Sequence, residues 1–360
     1  MALRSVLIAV ALLYAAPAAA QTPDIRWQTT ERDFIARNVT FRSGEWLDQV
    51  RIHYATLGRP HRNRRGEIDN AVMLLHGTGG SGRQFLQPQF ADELFGPGQP
   101  LDTTRYWIIL PDNIGHGRSS KPSDGLRMRF PQYDYNDMVA LQHRLLTQGL
   151  RVRRARLILG TSMGCMHAFV WGETYPDFAQ ALMPLACEPI EIAGLNRMWR
   201  QALIDGIRND PAWANGDYQV QPAAGLRNAA SILAIAGAAP LYFQEQWPTR
   251  DAAAAEIRAR VARSMANADA NDMLYQFESS RNYNPWPHLE RITTHVTWVN
   301  SADDFINPRN FPYPQQAIAR MGPNARFRMI EETTQTRGHG THTWARFWKQ
   351  DLMELLARSV

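Results

Sequence analysis

An apolar run at residues 155–159 ends at Gly160-Thr161-Ser162-Met163-Gly164, and a helical pattern over residues 163–175 begins inside that same pentapeptide. No other stretch constrains the fold as tightly. A chain that passes from strand to helix in so few residues has no space at the turn. A side chain at either glycine would meet neighbouring backbone, and the serine between them must take a strained conformation that exposes its hydroxyl. The helix start aims its free N–H groups at that hydroxyl. A bare G-x-S-x-G occurs often by chance. Set between a strand and a helix, it points to a nucleophile held at a sharp elbow.

The surroundings repeat the alternation. Strands are expected at 51–57, 71–75, 106–110, 155–159, 181–187, 295–300 and 326–331. Helices are expected at 137–150, where Met138, Leu141, Leu145 and Leu146 share a face, at 163–175, and at 344–356. Short apolar runs separated by helical patterns predict an α/β fold, a mostly parallel central sheet covered by helices on both faces. Residues 189–287 break the rhythm with Trp-, Met- and Ala-rich helical patterns and no convincing strand. They read as a helical lid inserted over the carboxyl ends of the strands, where open parallel sheets place their ligands. The expected division is a signal peptide at 1–20, a core at 21–188 and 288–360, and the lid at 189–287.

Arg4, the apolar run 6–16 and Ala18-Ala19-Ala20 have the layout of a secretory signal peptide cleaved before Gln21, too short to span a bilayer stably. The mature chain is therefore expected to be soluble and exported, periplasmic or secreted, with no stable membrane span. The nearest approach to a span, residues 229–243, is interrupted by Gly237 and Pro240. Of 39 basic residues against 34 acidic ones, only Lys121 and Lys349 are lysines. The arginines are spread along the chain, which argues against a nucleic-acid partner. Cys165 and Cys187 both fall in apolar segments and read as two buried thiols, although an oxidising compartment leaves one bridge open. No histidine pair has zinc-type helical spacing, so no metal and no cofactor are assigned.

Three further strand ends carry chemistry. His76-Gly77-Thr78-Gly79-Gly80 can bring backbone amides to a developing oxyanion, with Thr78 and Met163 the expected donors. This run lacks the Lys-Ser/Thr ending of a phosphate loop. The 112–119 turn reads as a structural loop near the site, and its His116 as structural. A serine needs a base, and the base a carboxylate, in the chain order Ser, Asp, His. Asp303 and Asp304 follow one late strand, and His339 and His342 follow the last. Asp304 is preferred because, with Pro308 four residues beyond it, it matches the D-x-x-x-P pattern usual at this loop in folds of this kind, leaving Asp303 a turn or cap role.

Three stretches then resemble the homoserine O-acetyltransferase-like branch of the α/β-hydrolase fold. They are Phe130-Pro131 with Asp137-Met138-Val139 and Gln142; Ser162-Met163-Gly164-Cys165-Met166; and Arg200-Gln201-Ala202 followed by Asp210-Pro211-Ala212-Trp213 and Gly216-Asp217-Tyr218. The resemblance implies a triad of Ser162, Asp304 and His339 that acylates on serine. His339 is preferred because it follows a glycine, as the family histidine does; His342 is a competitor. It also implies a homodimer through the lid helices. One departure bears on the reaction. Where the transferases carry an arginine that holds the amino-acid carboxylate, this chain has Ala230, and a methyl group cannot do that. The reading is an exported serine hydrolase of a small-molecule ester or related acyl substrate. The alternatives are an O-acyltransferase passing the acyl group to an alcohol or amino acid, and a non-catalytic binding protein on the same fold.

Overall fold

The computed structural model describes residues 27–359; the expected signal peptide lies outside them. Eight strands form one sheet: β1 (Thr30–Thr40), β2 (Trp46–Leu57), β3 (Ala71–Leu75), β4 (Trp107–Pro111), β5 (Leu157–Thr161), β6 (Ala181–Leu185), β7 (His295–Ser301) and β8 (Ala325–Ile330), in the order β1-β2-β4-β3-β5-β6-β7-β8. β1 and β2 pair antiparallel, β2 meets β4 antiparallel, and the remaining pairs are parallel. The carboxyl ends of β3 to β8 therefore open on one edge.

All five residues of β3, β4, β5 and β6 are buried, as expected of strands covered on both faces. The two faces use alternate residues. Met73, Leu75 and Ile158 point into a core under α2 (Tyr135–Arg144) and α3 (Met163–Thr174); Val72, Leu74, Leu157 and Leu159 point into one under α1 (Pro88–Leu94) and α10 (Lys349–Arg358). α3 is buried from Met163 to Gly172, so its sequence is apolar on every side.

The expected strands and the α3 helix are present with ends shifted by a few residues. The expected 137–150 helix is α2 followed by a π-helical turn, Leu145–Gly149. The expected 344–356 helix is corrected: Ala345–Phe347 is a 3-10 turn and the helix starts at Lys349. β1 was not anticipated. Only Ala36 and Val39 are buried along its TERDFIARNVT sequence, so its edge position leaves no alternation to read.

Between β6 and β7 lie α4 (Gly194–Arg208), α5 (Ala223–Ala236), α6 (Pro240–Gln246), α7 (Arg250–Met265) and α8 (Ala270–Glu278), with no strand among them. This insertion has its own core, built on Trp199, Leu203, Trp213 and Leu274. α9 (Tyr313–Met321) connects β7 to β8. Among the described residues no single helix is long and apolar enough to cross a membrane, and the α5–α6 stretch bends by 103° at its break.

Candidate active site

Ser162 occupies the turn between β5 and α3 at φ +55°, ψ −111°, a region that L-residues hold only when the surroundings force it. The force is visible. A Cβ on Gly160 would stand 1.9 Å from the Gly164 carbonyl oxygen, and one on Gly164 would stand 2.0 Å from that of Leu75. The Ser162 amide donates to the Leu185 carbonyl at 2.8 Å, which fixes the elbow to the end of β6.

The loops after β7 and β8 converge on this serine. The Ser162 hydroxyl lies 2.8 Å from His339 Nε2, and His339 Nδ1 lies 2.8 Å from Asp304 Oδ2. With Nδ1 donating to the carboxylate, Nε2 is left to accept from the hydroxyl. Asp304 also accepts from the Ile306 amide and the Asn307 side chain, each at 2.8 Å. Burial alone would raise its pKa, but the His339 ring and these hydrogen bonds outweigh burial, and the carboxyl sits below its ordinary range. Asp303 accepts from Ser301 and from the Gly338 amide, tying the histidine loop to the end of β7. His342 makes no hydrogen bond to Ser162 or Asp304. It sits one 3-10 turn beyond His339, their ring centroids 5.1 Å apart, so only one of the two candidate imidazoles bridges serine and carboxylate. Burial lowers the His342 pKa to about 3, and its Nδ1 has no hydrogen-bond partner among the described residues.

Gly77 approaches the serine so closely that a Cβ on it would stand 3.3 Å from that of Ser162. Gln84 holds this loop in place: it accepts from the Gly77 amide at 3.2 Å and donates to the Thr161 hydroxyl at 2.8 Å. The Thr78 and Met163 amides have no acceptor among the described residues; Thr78 lines the same cavity as Ser162, and Met163 follows Ser162 in the chain. His116 lies beneath, its Nδ1 on the Ile114 carbonyl, with burial lowering its pKa to about 3.

The reading of Cys165 and Cys187 as free thiols is overturned. They form a disulfide, Cα atoms 5.8 Å apart. The first turn of α3 runs beside the end of β6, and Ala186, at φ +67°, turns Cys187 towards it. Twenty-two residues of separation hide that proximity in the sequence. Glu188 follows at once. Its Oε1 accepts from Asn300 at 2.8 Å, while Oε2 has no hydrogen-bond partner among the described residues. Burial, then the nearby Asp304 charge, pushes its pKa up to about 8. Nothing in the local pattern singles out Gln84 or Glu188; only the convergence of strand ends does.

A cavity of about 980 Å³ lies over Ser162 and His339. Its roof comes from the insertion and the segment leading into it, with Ile190, Leu195, Trp199, Leu233, Met273 and Phe277 among its apolar surfaces. The roof meets the histidine loop directly. Gly338, at φ +56°, packs so tightly that a Cβ would stand 2.3 Å from the Ala238 carbonyl oxygen, at the α5–α6 corner. Ala230 is buried and is not part of the cavity wall, and Arg227 is exposed. The arrangement can take an acyl group onto the serine and accept its proton on an oriented imidazole.

The alpha/beta hydrolase family profile matches residues 72–351. A homoserine O-acetyltransferase from Geotalea daltonii is 30% identical over 287 residues, covering 72% of this chain and 72% of that protein. For three other curated relatives, a probable acyltransferase and two homoserine O-acetyltransferases, the match spans 61, 52 and 50% of their own length. The crystal structure of homoserine O-acetyltransferase from Bacillus anthracis superposes with a TM-score of 0.78 at 21% identity, covering 91% of this chain and 97% of the other. That of esterase E22 does so with 0.78 at 19%, covering 91 and 100%. At those identities the likeness is one of fold. The profile and the Geotalea relative go further: the chain belongs to the alpha/beta hydrolase family, in its homoserine O-acetyltransferase-like branch.

Proposed function

We propose that this protein is an exported serine hydrolase that cleaves an ester or related acyl compound through an acyl-enzyme. One observation carries the reading: the unbroken hydrogen-bonded chain from Asp304 through His339 to Ser162 at the floor of the cavity. Ser162 attacks the acyl carbonyl while His339 Nε2 takes its proton. Asp304 keeps Nδ1 protonated and stabilises the imidazolium. The Thr78 and Met163 amides receive the oxyanion. His339 then returns the proton to the leaving alcohol, and an acyl-Ser162 ester remains. Water, deprotonated by the same ring, attacks that ester, releasing the carboxylic acid and restoring the serine. Export is supported by the pattern of residues 1–20 and by the Cys165–Cys187 bridge, which an oxidising compartment favours.

A second reading is favoured by the transferase relatives: the same acyl-enzyme passes its acyl group to an amino-acid hydroxyl. Ala230 weighs against it, since it leaves no clamp where that branch holds its acceptor. Two measurements test these readings. A fluorophosphonate should label the wild type and not Ser162→Ala; no labelling would exclude the acyl-enzyme and leave a binding protein. Hydrolysis should exceed acyl transfer to added homoserine or serine, and the reverse ratio would favour the transferase.

A further inference from the structure

Arg200 projects from α4 and is 3% exposed, yet it belongs to the wall of the Ser162 cavity. Its hydrogen-bond acceptors are neutral: Asn196 Oδ1 at 2.9 Å from Nε, the Ser280 hydroxyl at 3.3 Å from Nη1, and the Tyr135 hydroxyl. Trp199 and Phe277 flank the guanidinium, their ring centroids 4.7 and 5.5 Å from Cζ. Other arginines of the chain differ. Arg127 and Arg260 pair with Asp217 and Glu256, and Arg281 and Arg358 bond backbone carbonyls. Among the described residues no carboxylate pairs with Arg200, and the charged group it feels besides Tyr135 is Arg197, of like sign. Burying a cation without a counterion is costly, and an arginine does not escape by losing its proton.

The surroundings are polar but uncharged: the buried Tyr135 hydroxyl interacts with Arg200, Ser280 and the Thr78 hydroxyl. A cation without a carboxylate partner and two neighbouring hydroxyls thus stand beside the loop that borders Ser162. The group that would balance them is an anion with oxygen acceptors. A planar two-oxygen anion matches the guanidinium fork. A single charge suits a cavity whose other cation is Lys121 and whose walls also carry Glu188, Glu191, Asp269 and Asp272.

We propose that Arg200, with the Thr78 and Tyr135 hydroxyls beside it, anchors a carboxylate of the substrate, so that the hydrolase acts on carboxylate-bearing esters. The ester part of this statement rests on the function proposed above; the carboxylate site does not. This anchor comes from α4, not from the Ala230 position on α5, so the anionic end lies elsewhere than a transferase clamp would hold it.

The test compares mono-4-nitrophenyl glutarate with its neutral carboxamide analogue. The wild type should prefer the carboxylate in kcat/KM, and Arg200→Gln should lower that ratio about thirtyfold or more, as truncating one member of a buried charge pair does. Arg200→Lys should restore part of it. In parallel, calorimetry on Ser162→Ala should detect glutarate and not glutaramide, a readout independent of turnover and of whether Arg200→Gln folds. Equal turnover of both esters with no selective glutarate binding would overturn the carboxylate site while leaving the hydrolase standing. Selective glutarate binding without turnover of either ester would sink the hydrolase and keep the site.

Discussion

The floor and the roof of the cavity are made by different means. The floor is backbone: fully buried strands, a serine forced to positive φ, and glycines whose missing side chains let β3, β5 and α3 touch. The roof is side chain: amphipathic helices with a separate small core, and apolar residues such as Leu195 and Ile235 left half or more exposed. Steric exclusion leaves the floor one arrangement. The roof is held by burial, which tolerates substitution and repacking as long as volume is kept. The placement of Ser162 is therefore fixed by the part of the molecule that can change least, and the shape of the cavity by the part that can change most.

The largest expected effect falls on the floor's chemistry. Ser162→Ala should lower ester hydrolysis by about four to six orders of magnitude, as loss of a triad serine does, with its melting temperature close to wild type. Residual activity within tenfold of wild type would break the comparison at its root. Next comes the floor's geometry. Gly164→Ala must push a methyl against the Leu75 carbonyl and should give insoluble protein or a melting temperature lowered by ten degrees or more, by about 3 kcal/mol or above. The bridge between α3 and β6 should follow. Replacing both Cys165 and Cys187 by alanine opens a 22-residue loop and should cost about 3 kcal/mol in denaturant titration.

Acid should act on the floor through His76, His116 and His167, which lie beneath it and are all held below the ordinary histidine pKa by burial. The folded protein keeps these rings neutral, whereas the unfolded chain binds protons below about pH 6.5. Their contribution is complete above that value and is lost as pH falls towards the folded value, about 3 for His116. These rings should therefore lower the melting temperature between pH 7 and pH 5, against the opposite pull of Glu173 and Glu188, which burial keeps protonated up to about 7 and about 8; a magnetic-resonance titration in which the His116 ring of the folded protein takes up a proton above pH 5 would show that it is not held neutral in the fold. The smallest effect belongs to the roof. A Cβ on Gly237 would approach Leu233 O no closer than 3.6 Å, so Gly237→Ala should change stability by about 0.5 kcal/mol or less.

The same division explains what could be read from the chain. The elbow, the Gly77–Gly80 loop and the strands were legible because buried parallel strands are short apolar runs and their ends are punctuated by glycine. Chain order narrowed the carboxylate to Asp303 or Asp304 and the imidazole to His339 or His342, and only Pro308 and the glycine before His339 separated them. β1 was not, because an edge strand with charges on both faces has no period. Nor was the disulfide, whose partners meet only because the first turn of α3 lies beside the end of β6. Arg200 was visible as part of a lid segment, but its lack of a counterion belongs to three dimensions: periodicity places a residue on a helix without saying which charges surround it.

The contact between Gly338 and the Ala238 carbonyl joins the two regions one residue from His339. Any substitution that moves the α5–α6 corner must therefore also shift the backbone that carries the imidazole, so the roof cannot be remodelled there without disturbing the aim of the ring.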